Sequence, residues 1–260
     1  MPSNIILMTS KAAISPMNPN NIDGPILTED RVLYEDNHLI IVNKCAKEPV
    51  QAEVSGDKAL QDMVRDYIRV KKQKTGNVFC GLVHRIDRPV SGAVILTKTS
   101  KALSRMIQIV KDRNIDKIYW AIVEGCPELP ENRLVNWLVK NEAKNRTTVY
   151  DEEKEGTQRA ELEYKVLVKT ERYSLLEVKL MTGRHHQIRA QLSHIGCPIK
   201  GDLKYGAKRS NEDGSICLHA RRLRFEHPVS HIMIDVEAPP FNPLFDKILS
   251  GKNLMEEEIG

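Results

Sequence analysis

The sequence has no apolar run of membrane-spanning length. Its run Ile5–Met8 has only four residues, whereas a membrane-spanning helix needs about 20. The N-terminal segment also lacks the charged and apolar sections of a secretory signal peptide. Because 41% of the residues are hydrophobic and 28% are charged, we expect a water-soluble, cytoplasmic protein with no membrane partner.

The sequence also lacks the cysteine pairs of a disulfide framework or a zinc site. Its five cysteines are odd in number, widely spread and without a Cys-x-x-Cys pair, which is typical of reduced cytosolic thiols. There is no His-Glu-x-x-His motif and no glycine-rich nucleotide loop. His185, His186 and His194 lie close together, but no carboxylate lies in that segment, so we predict no metal site.

The net charge of +4 is small, so it permits a polyanionic partner without requiring one. Five cations lie within ten residues: Arg65, Arg69, Lys71, Lys72 and Lys74. This pattern is typical of a solvated helix face. A phosphate-binding patch is the alternative if a nucleic-acid site lies nearby.

Length and composition suggest three parts. At 260 residues, the chain can form one large domain or two closely fused halves. Residues 1–24 are polar and rich in Asn and Pro, so we expect a flexible arm. We predict a folded domain over 25–250 and an acidic tail over 251–260, with a monomer as the default state.

Hydrophobic periodicity predicts more strands than helices. Apolar runs and alternation predict strands over 32–34, 39–42, 93–96, 118–123, 158–180 (an antiparallel pair), 218–225 and 232–236. Apolar spacing of three and four predicts helices over 60–68, after a capping Ser100, over 184–195 and near the C-terminus. The predicted core face after Ser100 consists of Leu103, Met106, Ile107 and Val110. Strands joined mostly as hairpins predict an α+β fold with a mixed, largely antiparallel sheet.

The run from His84 to Gly92 is the most informative part of the chain. It places Asp87 between Arg85 and Arg88, and turn-forming residues follow at once. Neighbouring cations favour the ionised form of a carboxylate, and an ionised Asp suits nucleophilic or base chemistry on a substrate whose phosphates the same cations hold. A surface ion pair at a turn is the alternative, and for an isolated triplet it is the better interpretation.

Three further segments carry polar groups that suit chemistry. A strand over 117–121 would present Lys117, Tyr119 and Ala121 on one face. The segment 183–189 is basic and rich in hydrogen-bond donors, and 218–220 contains a histidine.

Each of these segments also has an ordinary structural interpretation. Tyr119 fits a core aromatic on a buried strand. Arg189 fits a surface arginine whose stem lies along an apolar helix face. His219 and His227 fit hydrogen-bonding groups that stabilise the fold better than they fit catalysts.

In this order, the four segments resemble those of the RluA-type pseudouridine synthases, which isomerise uridine within ribosomal and transfer RNA. The resemblance runs from about Val32 to Pro228, and the motifs around Asp87 and Arg189 are specific only in combination. It implies the pseudouridine synthase fold, with a mixed sheet flanked by helices around a central active-site cleft, and makes 25–250 the catalytic domain.

The resemblance implies roles residue by residue. Asp87 matches the catalytic aspartate, Tyr119 the tyrosine that stacks on the target base, and Arg189 the basic residue that pairs with the catalytic carboxylate. Arg85 matches the arginine that fills the space left by the flipped-out base. The residues expected to contact RNA are His84, Arg85, Arg88, Arg184, His185 and Gln187.

The implied reaction is isomerisation of uridine to pseudouridine in structured rRNA or tRNA. A stacked uridine hides its glycosidic carbon, so the enzyme must extrude it. Asp87 then attacks the sugar or removes a ribose proton, and the sequence leaves both routes open. Because no electrons, water or groups are exchanged, we expect no cofactor and no metal.

Two other functions remain open at this stage. An RNA-binding module without catalysis would gain little from a carboxylate facing phosphates. A glycosidic-bond hydrolase normally needs a second carboxylate, and none accompanies Asp87 or Arg189 in its motif. Two positions depart from the family pattern: Cys45 follows Lys44 where Pro is usual, and His185 replaces the commoner Thr.

Overall fold

The computed structural model describes residues 25–251, so the predicted arm 1–24 and nearly all of the predicted tail 251–260 lie outside the described residues. Within this range the chain forms two compact units. The first comprises residues 25–115 and 222–239, and the second comprises 116–221 and 240–251. No helix in this range is both long and apolar enough to span a bilayer.

Strands outnumber helices, as predicted. The strands are β1 (Val32–Glu35), β2 (Leu39–Lys44), β3 (Gly81–Leu82), β4 (Ser91–Thr97), β5 (Ile115–Glu124), β6 (Glu131–Asn141), β7 (Arg146–Tyr150), β8 (Gln158–Lys169), β9 (Tyr173–Leu180), β10 (Leu218–Glu226) and β11 (Met233–Glu237). The helices are α1 (Leu60–Lys71), α2 (Ser100–Lys111), α3 (Gln187–His194) and α4 (Leu244–Leu249), with short 3-10 helices at Glu29–Arg31 and Leu203–Tyr205. The predicted α+β class is confirmed.

The first unit contains the strands predicted over 32–34 and 39–42, which correspond to β1 and β2. β1 pairs antiparallel with β2, β2 and β3 pair antiparallel with β4, and β10 pairs antiparallel with β11. All six residues of β2 are buried, so both faces of this strand are covered. Leu39 and Ile41 share one face by alternation and join a core cluster with Met106 of α2 and with Phe225 and Ile234.

Helix α1 confirms its predicted buried face. The buried residues are Leu60, Met63, Val64, Tyr67 and Ile68, which are the residues that the three- and four-residue spacing selects.

The second unit contains an antiparallel sheet in the order β5-β9-β8-β6-β7. The predicted pair over 158–180 corresponds to β8 and β9. The hairpin β6–β7 was not predicted, because its buried positions Leu134, Asn136 and Leu138 include a polar residue that breaks the apolar alternation. The amide of Asn136 is satisfied inside the protein, since its Oδ1 accepts from Nε2 of Gln191 at 2.8 Å.

Two predicted helix starts are wrong. Helix α2 is capped by Thr99, whose Oγ1 accepts from the N–H of Ala102 at 3.2 Å, and Ser100 is its first helical residue. The core face of α2 is also narrower than predicted, because Ile107 is 37% exposed. Helix α3 begins at Gln187 and not at residue 184, because His186 has a left-handed backbone with φ of 50°.

Candidate active site

The Asp87 turn lies between β3 and β4 in the first unit. The N–H of Val90 donates to the C=O of Asp87 at 3.0 Å and closes the turn. Ile86 and Val90 are buried, whereas Arg85 is exposed and Asp87 is half-buried. Apolar anchors on both sides therefore hold the turn that carries the charged side chains.

Arg88 fastens a neighbouring loop to this turn. Its Nε donates to the C=O of Lys47 at 2.9 Å, its Nη1 donates to Oγ of Ser55 at 3.0 Å, and its Nη2 pairs with the carboxylate of Asp57. The bond from Arg88 lowers the pKa of Asp57. These contacts give Arg88 a structural role, and its contact with RNA stays a prediction.

Lys44, at the end of β2, is fully buried, and no role for it was predicted. Its Nζ donates to three backbone carbonyls, those of Cys45 at 2.9 Å, Glu48 at 2.8 Å and Arg88 at 3.1 Å. Burial lowers the pKa of Lys44 to about 8, against the opposing effect of the carboxylates of Glu48 and Asp87. Lys44 therefore joins the end of β2 to the turn and lies within electrostatic reach of Asp87.

His84 contacts the neighbouring strand. Its Nε2 accepts from the backbone N–H of Ile95 at 3.2 Å, so this ring nitrogen carries no proton. The contact connects the segment that precedes Asp87 to β4. Contact of His84 and Arg85 with RNA stays a prediction.

Arg189 is held by a buried carboxylate. Its Nε donates to Oδ2 of Asp202 at 2.6 Å and its Nη2 donates to Oδ1 at 2.9 Å, and the two side chains are 5% and 1% exposed. Such a bidentate pair fixes the orientation of the guanidinium plane. The alternative of a surface arginine is therefore wrong, and Asp202 is a partner that no local sequence pattern indicates.

Tyr205 packs against the same guanidinium. Its ring centroid lies 5.1 Å from Cζ of Arg189. Its hydroxyl accepts from the N–H of Thr147 at 2.8 Å and lies 3.0 Å from Nδ1 of His186. Burial raises the pKa of Tyr205. Arg189 itself is buried and hydrogen-bonded to Asp202.

Gln187 is buried at the start of α3. Its Oε1 accepts from Oγ1 of Thr182 at 2.8 Å and from the N–H of Arg184 at 3.0 Å, and its Nε2 donates to the C=O of Glu161 at 3.0 Å. These bonds give Gln187 a positioning role in the segment before Arg189. Its direct contact with RNA stays a prediction.

Arg184 and His185 precede Gln187 and are half-buried. Nε of Arg184 donates to the C=O of Arg159 at 3.1 Å. Nδ1 and Nε2 of His185 lie 2.9 Å from Oγ1 of Thr147 and 3.0 Å from Oδ1 of Asn145. Both residues therefore brace neighbouring strands and loops, and their contact with RNA also stays a prediction.

Tyr119 lies in β5 opposite Val178 of β9 and is 7% exposed. Lys117, Tyr119 and Ala121 share one face of the strand by alternation. Burial lowers the pKa of Lys117. Both a core aromatic and a base-stacking tyrosine fit these facts, so stacking stays a prediction.

The predicted site residues are divided between the two units. The first unit carries His84, Arg85, Asp87 and Arg88, and the second carries Tyr119, Arg184, His185, Gln187 and Arg189. Within each unit, the residues of one motif are brought together on one short segment. The pairing of Arg189 with Asp87 stays a prediction.

The basic run at the end of α1 supports the interpretation as a solvated helix face. Three of its cations are paired within the first unit: Arg65 with Asp62, Arg69 with Asp66, and Lys71 with Glu35. Much of its positive charge is therefore neutralised locally.

The described residues contain no group of three His, Cys, Asp or Glu side chains placed to hold a metal ion. All five cysteines lie within residues 25–251, and none of them forms a disulfide.

Comparison with known sequences identifies the family. Residues 38–194 match the profile described as RNA pseudouridylate synthase. The chain is 33% identical over 217 residues to ribosomal large subunit pseudouridine synthase C of Buchnera aphidicola, which covers 81% of this chain and 67% of that protein. It is 31% identical over 217 residues to ribosomal large subunit pseudouridine synthase D of Zymomonas mobilis, which covers 80% and 68%.

Solved structures show the same fold. Human RNA pseudouridylate synthase domain containing 4 superposes with a TM-score of 0.69 at 22% identity, covering 84% of this chain and 91% of that one. Human RNA pseudouridylate synthase domain containing 1 gives 0.65 at 23% identity, covering 89% and 90%. The predicted fold is confirmed, and together with the sequence matches this shows that the chain belongs to the RluA-type RNA pseudouridine synthases, which are isomerases.

Proposed function

We propose that this protein converts uridine to pseudouridine in ribosomal RNA, without a cofactor. The observation that carries the proposal is the 33% identity over 217 residues to a relative named as a ribosomal large subunit pseudouridine synthase. Asp87, Tyr119 and Arg189 all lie within the residues that match the family profile, which supports their proposed roles.

The first step of the proposed reaction is extrusion of the target uridine. A base inside an RNA stem is inaccessible until it leaves the stack. The exposed side chain of Arg85 fills the space that the base leaves. The ring of Tyr119 stacks on the extruded uracil, a contact that contributes about 1–3 kcal/mol.

Asp87 then starts cleavage of the bond between ribose C1′ and uracil N1. Its carboxylate either attacks C1′ or removes a ribose proton to give a glycal. In both routes the electrons of the broken bond go to uracil, which rotates and bonds to C1′ through C5. In the first route C5 displaces the carboxylate oxygen of Asp87 from C1′, and in the second the proton that Asp87 removed returns to C2′ as C5 adds to C1′. The C5 proton is lost and N1 gains a proton, so product and substrate contain the same atoms.

Arg189 is proposed to hold the negative charge of Asp87 in place. A guanidinium has five N–H donors in a fixed plane. The bidentate pair with Asp202 uses two of them and fixes the plane of the guanidinium. This geometry supports a role for Arg189 beside a second carboxylate.

Release of tritium from RNA labelled at uracil C5 tests the proposal. We expect the wild-type protein to release the label from ribosomal RNA without producing free uracil. Asp87→Ala should abolish release while RNA affinity changes by no more than about twofold, because phosphate contacts supply most of the affinity. Asp112→Ala removes an exposed carboxylate after α2 and serves as the matched control with wild-type release.

Each other outcome indicates a different function. Free uracil would indicate a hydrolase, and binding without release would indicate an RNA-binding module. Unchanged release by Asp87→Ala would exclude the proposed mechanism. Transfer RNA transcripts, assayed in parallel, separate the two RNA classes, and pseudouridine mapping in cells with and without the protein identifies the target position.

A further inference from the structure

A cavity of about 400 Å³ lies within the second unit, and none of the predicted site residues lines it. Residues of β7, of the turn before it and of α3 line the cavity, together with Asn141 at the end of β6 and with Tyr205. Its polar and charged lining includes Lys144, Arg146, Thr148, Ser193, His194 and Tyr205.

The cavity carries positive charge. Lys144 and Arg146 are exposed, and within residues 25–251 neither of them forms an ion pair. No residue that lines the cavity is Asp or Glu. Nε2 of His194, a lining residue, lies 2.8 Å from Oδ1 of Asp151. The lining therefore suits an anionic group.

Hydrogen bonds join the segments that frame the cavity. Oγ of Ser193 donates to the C=O of Tyr205 at 2.5 Å, and the N–H of Thr147 donates to the Tyr205 hydroxyl at 2.8 Å. The turn before β7 is also braced, because Nζ of Lys204 donates to the C=O of Asn145 at 3.1 Å. A preformed frame holds the donors in place before a ligand arrives.

Tyr205 also connects the cavity to Arg189. Cζ of Arg146 lies 5.3 Å from the Tyr205 ring centroid and Cζ of Arg189 lies 5.1 Å from it. The guanidinium carbons of the exposed Arg146 and of the buried Arg189 thus both lie within cation–π distance of one aromatic ring.

We propose that this cavity binds a backbone phosphate of the RNA substrate, outside the target nucleotide. The inference rests on the proposed function, which supplies the RNA. Exposed Lys and Arg with hydroxyl donors are the groups that bind phosphate oxygens and set the register of a nucleic acid. β7 is the last strand in the sheet order of the second unit, so Arg146 lies at a sheet edge that a long polyanion can follow, and Lys144 lies in the turn before this strand.

The salt dependence of RNA affinity tests this inference. The double variant Lys144→Ala/Arg146→Ala should bind ribosomal RNA roughly tenfold more weakly near 0.15 M salt. The slope of log affinity against log salt should become smaller by roughly 1, as expected for one lost phosphate contact. Lys165→Ala/Lys169→Ala removes two exposed cations from β8 and is the matched control with an unchanged slope.

Two further measurements separate this inference from the proposed function. Circular dichroism should show an unchanged fold, and tritium release at saturating RNA should stay close to wild type, because the cavity contributes binding and not chemistry. Arg146→Lys should retain most of the slope. If the wild-type protein releases the label but the double variant has an unchanged salt slope, the phosphate contact alone is overturned. If the double variant has a reduced slope but the wild-type protein releases no label, the isomerase function alone is overturned.

The last measurement is the binding of inorganic phosphate, titrated in place of RNA. Millimolar binding that Lys144→Ala/Arg146→Ala abolishes would support an anion site of this charge. If phosphate binds in this way but the double variant does not change the salt dependence of RNA affinity, the cavity is a site for a free anion and the RNA contact is contradicted.

Discussion

Lys44 is an ammonium group with no access to water, and burial of a charge is costly unless hydrogen bonds replace its hydration. Three backbone carbonyls supply those bonds. Two of them belong to the loop after β2 and the third to Arg88, next to Asp87. Desolvation of Lys44 therefore costs free energy, and its hydrogen bonds connect the loop after β2 to the Asp87 turn.

The pKa of Lys44 predicts a pH dependence of stability. Its folded-state pKa of about 8 lies below the ordinary value of 10.5, so the unfolded chain binds more protons between these values. The contribution of Lys44 to the free energy of unfolding should therefore increase as pH rises from about 8 to 10.5 and be lost as pH falls. Urea denaturation of wild type and Lys44→Met across this range measures it.

The control for Lys44 is Lys47→Met, which removes an exposed lysine from the same loop. It should retain the wild-type pH dependence. A difference between wild type and Lys44→Met that stays constant from pH 7 to 10.5 would contradict the depressed pKa.

Variants of the Arg189–Asp202 pair should change the free energy of unfolding and the activity independently. Asp202→Leu removes one partner of a buried ion pair and should cost about 3–5 kcal/mol in the free energy of unfolding. Arg189→Met/Asp202→Leu removes both charges and should recover most of that stability, yet release no tritium. Urea denaturation and the label assay measure the two effects, and release by the double variant would exclude Arg189 from the chemistry.

The motif residues could be chosen from the sequence, whereas their partners could not. Asp87, Tyr119 and Arg189 were selected by a family pattern of neighbouring residues. Lys44 reaches a carbonyl 44 positions away, and Arg189 reaches a carboxylate 13 positions away. Neither separation corresponds to a helical or strand period, so only the folded chain brings these groups together.

At the level of single elements, the position of the N-cap of helix α2 can be tested directly. Thr99→Ala removes the Oγ1 that accepts from the N–H of Ala102 and should cost about 1 kcal/mol in the free energy of unfolding. Ser100→Ala, one residue later, should change stability by less than about 0.5 kcal/mol. Guanidinium denaturation compares them, and equal costs would mean that the cap is not at Thr99.

Elements were predictable where apolar spacing was regular. The buried face of α1 follows its sequence spacing directly. In β6, the buried Asn136 interrupts the apolar alternation, and its partners lie on other elements. The start of α3 depends on the left-handed backbone of His186, next to its contact with Tyr205, and tertiary contacts of this kind leave no local signal.

At the scale of the whole molecule, the sequence allowed one domain or two fused halves, and the contacts divide the described chain into two units. The division was not predictable, because it depends on the return of the chain at residue 222. The pairing of β10 with β11 brings Phe225 and Ile234 into the core that also contains Leu39 and Met106.

That return has a consequence for synthesis on the ribosome. The core of the first unit contains residues from Leu39 to Ala238. When the ribosome has synthesised the chain as far as the end of β5, only part of this core is therefore present. A nascent chain of this length exposes the apolar faces of β2, β4 and α2 until Leu223, Val236 and their neighbours emerge. The first unit can therefore close only late in translation, and its early segments depend on protection from aggregation until then.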